Sequence, residues 1–301
     1  MAHLCKLFGA SRQAYYKYDE ISLQTVLMRD KMAIDYALRI REIDPGIGCK
    51  KLYAMYRREL QSEEPVGRDR FLRLMAQQGL NLRKNQSREP RTTDSRHNLP
   101  TYPNKVWSVI PQRANQIWVS DITYIPIVDP KNPAERSFCY LSLITDAYSK
   151  MIVGFAVGES LETIYPLAAL KMAIKTLPKD FDGSLLTHHS DRGVQYASMQ
   201  YVNTLRGYNI NISMTENGNP KHNAEAERIN NTIKNELCAN LVFTSIEEVE
   251  EKIKEVIEFY NTRRPHMSIN GMTPVEAAQQ TGEIKKDWYS YRLAAIKKSK
   301  L

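Results

Sequence analysis

The sequence predicts an α/β protein, a mixed five-stranded sheet with flanking helices, preceded by a helical region. Two observations carry this expectation. The first 80 residues read as helical throughout, and at Trp118 the pattern switches to short alternating runs rich in β-branched and aromatic residues. From there the elements run in the order β-β-β-α-β-α-β-α, in which the first and fourth strands are expected side by side.

The helical region opens with "LCKLFGASRQAYYKY", a short apolar segment, a Gly-Ala-Ser turn and a second segment carrying Arg12, Tyr15, Tyr16 and Lys17. Two readings stand for it. One is a helix-turn-helix whose second helix brings Arg12 and Lys17 to a major groove; the other is a plain helical bundle. A long helix over 21–43, a break at "DPGIG" and helices over "CKKLYAMYRREL" and "GRDRFLRLMAQQG" complete residues 1–80. Residues 81–117 contain four prolines and few apolar side chains, and read as a basic linker. Its Arg83, Lys84, Arg88 and Arg91 are placed to track a phosphate backbone.

The core is expected over 118–240. "IWVSDITYIPIV", "SFCYLSLITDAY" and "MIVGFAVG" read as three consecutive strands joined by short connections, hence antiparallel neighbours. A helix over "ETIYPLAALKMAIKTL" leads to a strand in "DGSLLTHHS" that opens after Gly183 and ends at Asp191. Next come a helix over about 196–207, the short strand "NINISMTE" and a continuous helix over "AEAERINNTIKNELC". Residues 241–301 form a helical extension with a basic, aromatic-interleaved tail.

Net charge is +8 and unevenly spread: +4 over 1–80, +5 over 81–117, −2 over 118–240 and +1 over 241–301. Basic flanks around an acidic middle fit a polyanionic partner, with bound divalent cations helping the middle approach phosphates. The four cysteines, Cys5, Cys49, Cys139 and Cys238, are too scattered for a zinc ribbon or a disulfide scaffold, which fits a reducing cytoplasm. No apolar run reaches membrane-spanning length, and the first residues lack a signal-peptide pattern.

Asp121 stands inside an otherwise apolar strand, where an unpartnered carboxylate is costly to bury. Asp191 lies at the end of the adjacent strand, either as a partner to Asp121 or as the cap of the next helix. Two facing carboxylates repel unless a cation bridges them, and oxygen ligands suit Mg²⁺ or Mn²⁺. A third acid is expected from the helix of "AEAERINNTIKNELC". Its apolar face is Ala226, Ile229, Ile233 and Leu237, with Glu227 and Lys234 on one border and Glu225 and Glu236 on the other. Helical geometry does not choose between the borders.

The motifs "WVSDITYI", "HSDRGVQYAS" and "NAEAERINNTIKNEL", with 35 residues between Asp191 and Glu227, resemble the DDE signature of insertion-sequence transposases and retroviral integrases. Nearly end to end, the chain resembles the second-frame (OrfB) transposases of the IS-three family. "ASRQAYYKY", "DPGIGCKKLYAMYRREL", "RFLRLMAQQGL" and the closing "YNTRRPHMSINGMTPVEA" carry that likeness. The resemblance implies a ribonuclease-H-like core in which Asp121, Asp191 and Glu227 are the catalytic triad and bind two divalent metals. It implies that Lys234 touches DNA near the reacting phosphate, and that His189, Ser190 and Arg192 support the second acid, Arg192 within reach of DNA. It further implies double-stranded DNA as partner, a homo-oligomer on paired ends, an upstream-frame OrfA product and a bacterial, nucleoid-associated location. Ser120, where threonine is more usual, and His222, where an acid often stands, depart from the family pattern.

Other residues carry plainer readings. Asp146 suits a local backbone bond at a strand end, and adjacent His188 and His189 point to opposite faces. Arg263 and Arg264 either contact DNA or end their helix ahead of Pro265. A nuclease that only hydrolyses, and a DNA-binding regulator without chemistry, are the competing functions.

Overall fold

The computed structural model describes residues 2–9, 11, 20–60, 65–82, 98–216, 223–239, 241–285 and 296. The chain divides into two units, 1–42 with 47–84 and 43–46 with 85–301. Arg12, Lys17, Arg83, Lys84, Arg88, Arg91 and His222, and with them the second segment of the proposed helix-turn-helix, lie outside the described residues.

The first unit contains helices α1 (Ala2–Leu7), α2 (Glu20–Ile43), α3 (Cys49–Glu59) and α4 (Arg68–Gln77). On α2, Ala33, Tyr36, Ala37 and Ile40 recur at helical spacing and are buried. The ring centroids of Tyr36 and Tyr56 stand 5.4 Å apart, and those of Tyr56 and Phe71 5.1 Å apart. This aromatic cluster ties α2, α3 and α4 together. At its edge Arg70 grips Asp30 through two parallel bonds of 2.6 and 2.7 Å.

In the second unit five strands, β1 (Ile117–Asp129), β2 (Asn132–Asp146), β3 (Ile152–Gly158), β4 (Thr187–Ser190) and β5 (Asn211–Met214), form one sheet in the order β3-β2-β1-β4-β5. The β1–β2 and β2–β3 pairs are antiparallel, whereas β1–β4 and β4–β5 are parallel. Trp118 and Ile122 of β1 point to one face and pack with helices α5 (Ile164–Lys175) and α7 (Met199–Gly207). Ile117 and Val119 point to the other face, against Ala226 of α8 (Ala224–Thr232). The alternation along β1 therefore decides which side chains face α8.

Several expected elements are corrected. The strand before Asp191 begins at Thr187, because Asp182 caps a 3-10 turn at Gly183–Leu185 instead. A Cβ at Gly183 would stand 1.8 Å from Tyr208 O, so only glycine admits this close approach. The helix expected over 196–207 is split into α6 (Val194–Ala197) and α7, since Ser198 is extended and accepts the Tyr201 N–H at 3.3 Å. Past α8 the helix continues as a π-helical turn, Ile233–Leu237, rather than as uninterrupted α-helix.

Within the stretch assigned to the linker, Lys105 and Val106 lie against the sheet unit: Val106 is buried beside Ala226, and Lys105 N–H donates to Ser213 Oγ. Helix α9 (Ile246–Thr262) packs on β3, where the Asn261 amide bonds both the N–H and the carbonyl of Ile152. A short α10 (Pro274–Ala278) comes after it, started by a reciprocal Thr273–Glu276 cap. All four cysteines are free thiols. No helix among the described residues is long and apolar enough to cross a membrane.

A close helix-on-sheet contact is at Gly154 of β3, where an added Cβ would lie 2.2 Å from Ala169 O and 2.9 Å from Ala173 Cβ. Gly154→Ala is expected to destabilise the protein by about 1–3 kcal/mol, since α5 must move off the sheet. Urea unfolding of the variant beside the parent measures this.

Candidate active site

The parallel register pairs Val119 with His189. Two residues further on each chain stand Asp121 and Asp191, on the same face of the sheet and at the same height along it. Asp121 is still within β1, half-buried, while Asp191 is the first residue after β4. Helix α8 covers this face and brings Glu227, whose side chain is exposed.

The three carboxyl groups act on one another. Burial, and after it the negative charge of Asp191, pushes the Asp121 carboxyl up to about 8; Glu227 adds to the rise, and the Ile122 N–H and the Asn230 amide oppose it. The Glu227 carboxyl is also raised, first by burial and then by Asp191. Asn230 Nδ2 donates to Asp121 Oδ2 at 2.9 Å, and Asn223 Nδ2 donates to the Ser120 carbonyl at 3.1 Å, so α8 is tied to β1 at both positions.

Asp191 is not the helix cap. That position is held by Gly193, whose N–H donates to Asp191 Oδ1 at 3.0 Å, one bond of an Asx-type turn. The other two glutamates of the helix are engaged by cations. Glu225 pairs with Lys150, and Glu236 accepts from Arg264 at 2.6 Å. Among the described residues no cation pairs with Glu227.

The remaining candidates separate clearly. Arg264 is buried, 1% exposed, among Asp44, Glu236 and His266, and is corrected from a DNA contact to an internal ion-pair residue. Its burial is explained by two carboxylates that would otherwise lie unneutralised in the interior. Arg263 is exposed beside the Phe259 ring. Arg192 donates from Nε to Thr215 O at 2.7 Å, joining the ends of β4 and β5. Lys234 lies in the π-helical turn with its ammonium buried against the Tyr124 ring, 3.4 Å from the centroid.

Burial drives the His188 ring down to about 3 and keeps it neutral, bonded to the Tyr201 hydroxyl at 3.0 Å. His189 turns to the opposite face and meets Ser213 Oγ at 2.9 Å. Asp146 accepts from Ser149 N and Oγ and from Asn115 N, the turn role expected of it. Ser120 Oγ lies 3.2 Å from both Leu143 O and the Tyr196 hydroxyl, linking β1 to the helix after Asp191. Asn230 was not singled out by its sequence, yet it had a signal: it lies three residues after Glu227, hence on a neighbouring part of the helix surface. The Asp44–Arg264–Glu236 group had none.

Hard carboxylate oxygens that repel one another suit a divalent cation. Among the described residues, however, no three His, Cys, Asp or Glu side chains are arranged to hold an ion as they stand.

Comparison with known proteins places the chain in a family. Two family models, each described as an integrase core domain, match residues 208–274 and 111–220. An insertion element IS600 31 kDa protein of Shigella sonnei is 33% identical over 277 residues, 90% of this chain and 96% of its own length. The transposase for insertion sequence element IS629 of Shigella sonnei is 31% identical, over 74% of this chain and 71% of its own. The chain belongs to the insertion-sequence transposases. This transposase is thus an enzyme of DNA phosphodiester cleavage and strand transfer. Among solved structures, the HTLV-2 integrase catalytic core in complex with magnesium aligns with 56% of the transposase and 100% of its own chain, at 20% identity and a TM-score of 0.42.

The raised Asp121 carboxyl predicts a pH dependence. Without metal, the folded state keeps a proton between the ordinary carboxylate range and about 8 that the unfolded chain has lost, so stability falls as pH rises through that window. Asp121→Asn is expected to flatten this slope and to raise the melting temperature of the metal-free transposase at pH 8. Thermal melts from pH 5 to pH 8 in chelator, with parent and variant side by side, measure both effects.

Proposed function

We propose that Asp121, Asp191 and Glu227 are the catalytic triad of this transposase. With them it hydrolyses the terminal phosphodiester at the ends of its insertion sequence, and the freed 3′-hydroxyl then attacks a phosphodiester of another strand, forming a new P–O bond as that strand's own 3′-oxygen leaves. The observation that carries this reading is the parallel register of β1 and β4, which brings Asp121 and Asp191 together on the face that the Glu227 helix covers. Two Mg²⁺ or Mn²⁺ ions held by these acids would supply an activated attacking oxygen and a stabilised leaving oxygen.

The chain's own residues have distinct tasks in this scheme. Asn230 orients the Asp121 carboxylate, and the Gly193 N–H orients that of Asp191. Glu227, unpaired by any described cation, completes the set from α8. Lys234 and the exposed Arg263 are the proposed phosphate contacts, Lys234 after leaving the Tyr124 ring; Arg192 holds the loop beside Asp191.

Residues 1–80 are proposed as the DNA-binding region, 81–117 as the basic connection to the core, 118–240 as the catalytic core and 241–301 as its extension. The ligand is double-stranded DNA, the element ends and the target. One site must serve each end, so two or more copies act together, with an upstream-frame OrfA product as a further partner.

Strand transfer on labelled element ends with Mg²⁺ tests the triad. Glu227→Gln is expected to lower joining by about a thousandfold or more, the equivalent of several kcal/mol of metal-held charge stabilisation. Glu225→Gln, which breaks the Lys150 pair, is expected to stay within about tenfold of the parent. Joining retained in Glu227→Gln refutes the choice of third acid. Cut but unjoined ends in the parent indicate a nuclease, and bound, unaltered DNA a regulator.

A further inference from the structure

The helix that carries Glu227 ends in a feature its sequence does not announce. A π-helical turn at Ile233–Leu237 adds a residue to the last turn, so the chain beyond it is offset by about 100° from an unbroken α-helix. Such a turn loses regular hydrogen bonding and persists only where surrounding groups hold it.

Glu236, inside the turn, is held from two directions. Its side chain accepts from Arg264 Nη2 at 2.6 Å, and its carbonyl accepts from the Gly46 N–H at 2.9 Å. Arg264 Nε in turn stands 3.4 Å from Asp44 Oδ2, and Nη1 is 3.1 Å from His266 Nε2. Asp44 and Arg264 are 0% and 1% exposed, so the charges are sealed from water and their geometry is exacting. The backbone approach is equally close: a Cβ on Gly46 would stand 2.5 Å from Glu236 Cα and 2.6 Å from its carbonyl oxygen. Only glycine can seat there. The segment Ile43–Gly46 belongs by its packing to the catalytic unit, apart from the helical residues on either side of it.

The opposite end of the same helix is held by the Asn223, Asn230 and Lys150 contacts. A rod fixed at both ends has neither rotation nor slide left, and those two freedoms decide where Glu227 stands. We propose that Arg264 and Gly46 are positioning residues for the transfer reaction. With Asp44 they clamp Glu236, hold the π-helical turn and so set Glu227 relative to Asp121 and Asp191; this rests on Glu227 being the third acid.

The test uses the full chain with Gly46→Ala and Arg264→Lys. Folding is checked by circular dichroism, turnover is measured on pre-cut element ends with Mg²⁺, and Mn²⁺ binding without DNA is monitored by electron paramagnetic resonance. Displacement of the acid is expected to lower kcat by about a hundredfold. KM for the DNA end should stay within about twofold, because Asp44 and Arg264 are buried away from the surface that DNA could reach. Mn²⁺ binding should weaken in the same variants, a change that a general loss of stability does not produce in molecules that remain folded. Should Gly46→Ala fail to fold, Arg264→Lys decides, since it keeps the buried charge and removes only the fork. The proposal is overturned if the folded variants bind Mn²⁺ and turn over like the parent, or if activity falls only with the folded fraction. Glu227→Gln run in parallel separates the two readings: inactive Glu227→Gln beside fully active clamp variants removes the clamp alone, whereas active Glu227→Gln removes the triad.

Discussion

The parallel pairing of β1 with β4 is the constraint on which the rest depends. It puts Asp121 and Asp191 at equal height and on one face, although 69 residues and four other elements separate them. Burial of Asp121, and after it the repulsion from Asp191, opposes the arrangement, and the raised proton affinity of Asp121 reflects both. The sheet nevertheless holds, because the pairing is secured from its other face. There Trp118, Ile122, Leu186, Tyr201 and Ile212 are buried in a core to which the acids contribute nothing. A fold stabilised on one face can therefore carry an unfavourable charge cluster on the other.

The helix laid over that cluster is held by polar and ionic contacts as well as by its apolar stripe. Ala226, Ile229, Ile233 and Leu237 supply the stripe, which fixes the side that faces the sheet but leaves the helix some freedom to slide along it. The bonds from Asn223 and Asn230 and the pairs Lys150–Glu225 and Arg264–Glu236 remove that freedom. Buried ion pairs add little net stability compared with apolar side chains, yet they are expensive to break. Their effect here is registration: two of the helix's three glutamates are neutralised in place, and Glu227 is left without a described cation.

Much of this was legible along the chain. The strand containing Asp121, the antiparallel run of β1 to β3, helices α3 to α5 and the apolar face of α8 all come from local periodicity, and the structure keeps them. The misreadings share a cause. "DGSLL" looked like the start of a strand because its apolar pair invites that reading, but Asp182 and the close approach to Tyr208 turned it into a 3-10 turn. Arg264 was read with Arg263 either as a DNA contact or as the end of its helix, and the carboxylates that bury it come from residues 44 and 236.

The sequence by itself determined the order of elements, the faces they bury, the placing of two aspartates on neighbouring strands and, through its motifs, the family. These depend on side-chain period and local spacing, which can be read residue by residue. Only the tertiary structure decided which cation neutralises which glutamate, that the helix after Glu227 closes in a π-helical turn, and that Asp44 and Gly46 reach it. Those outcomes depend on distances between residues far apart in the chain, set by how the packed elements approach one another, and no local pattern encodes them.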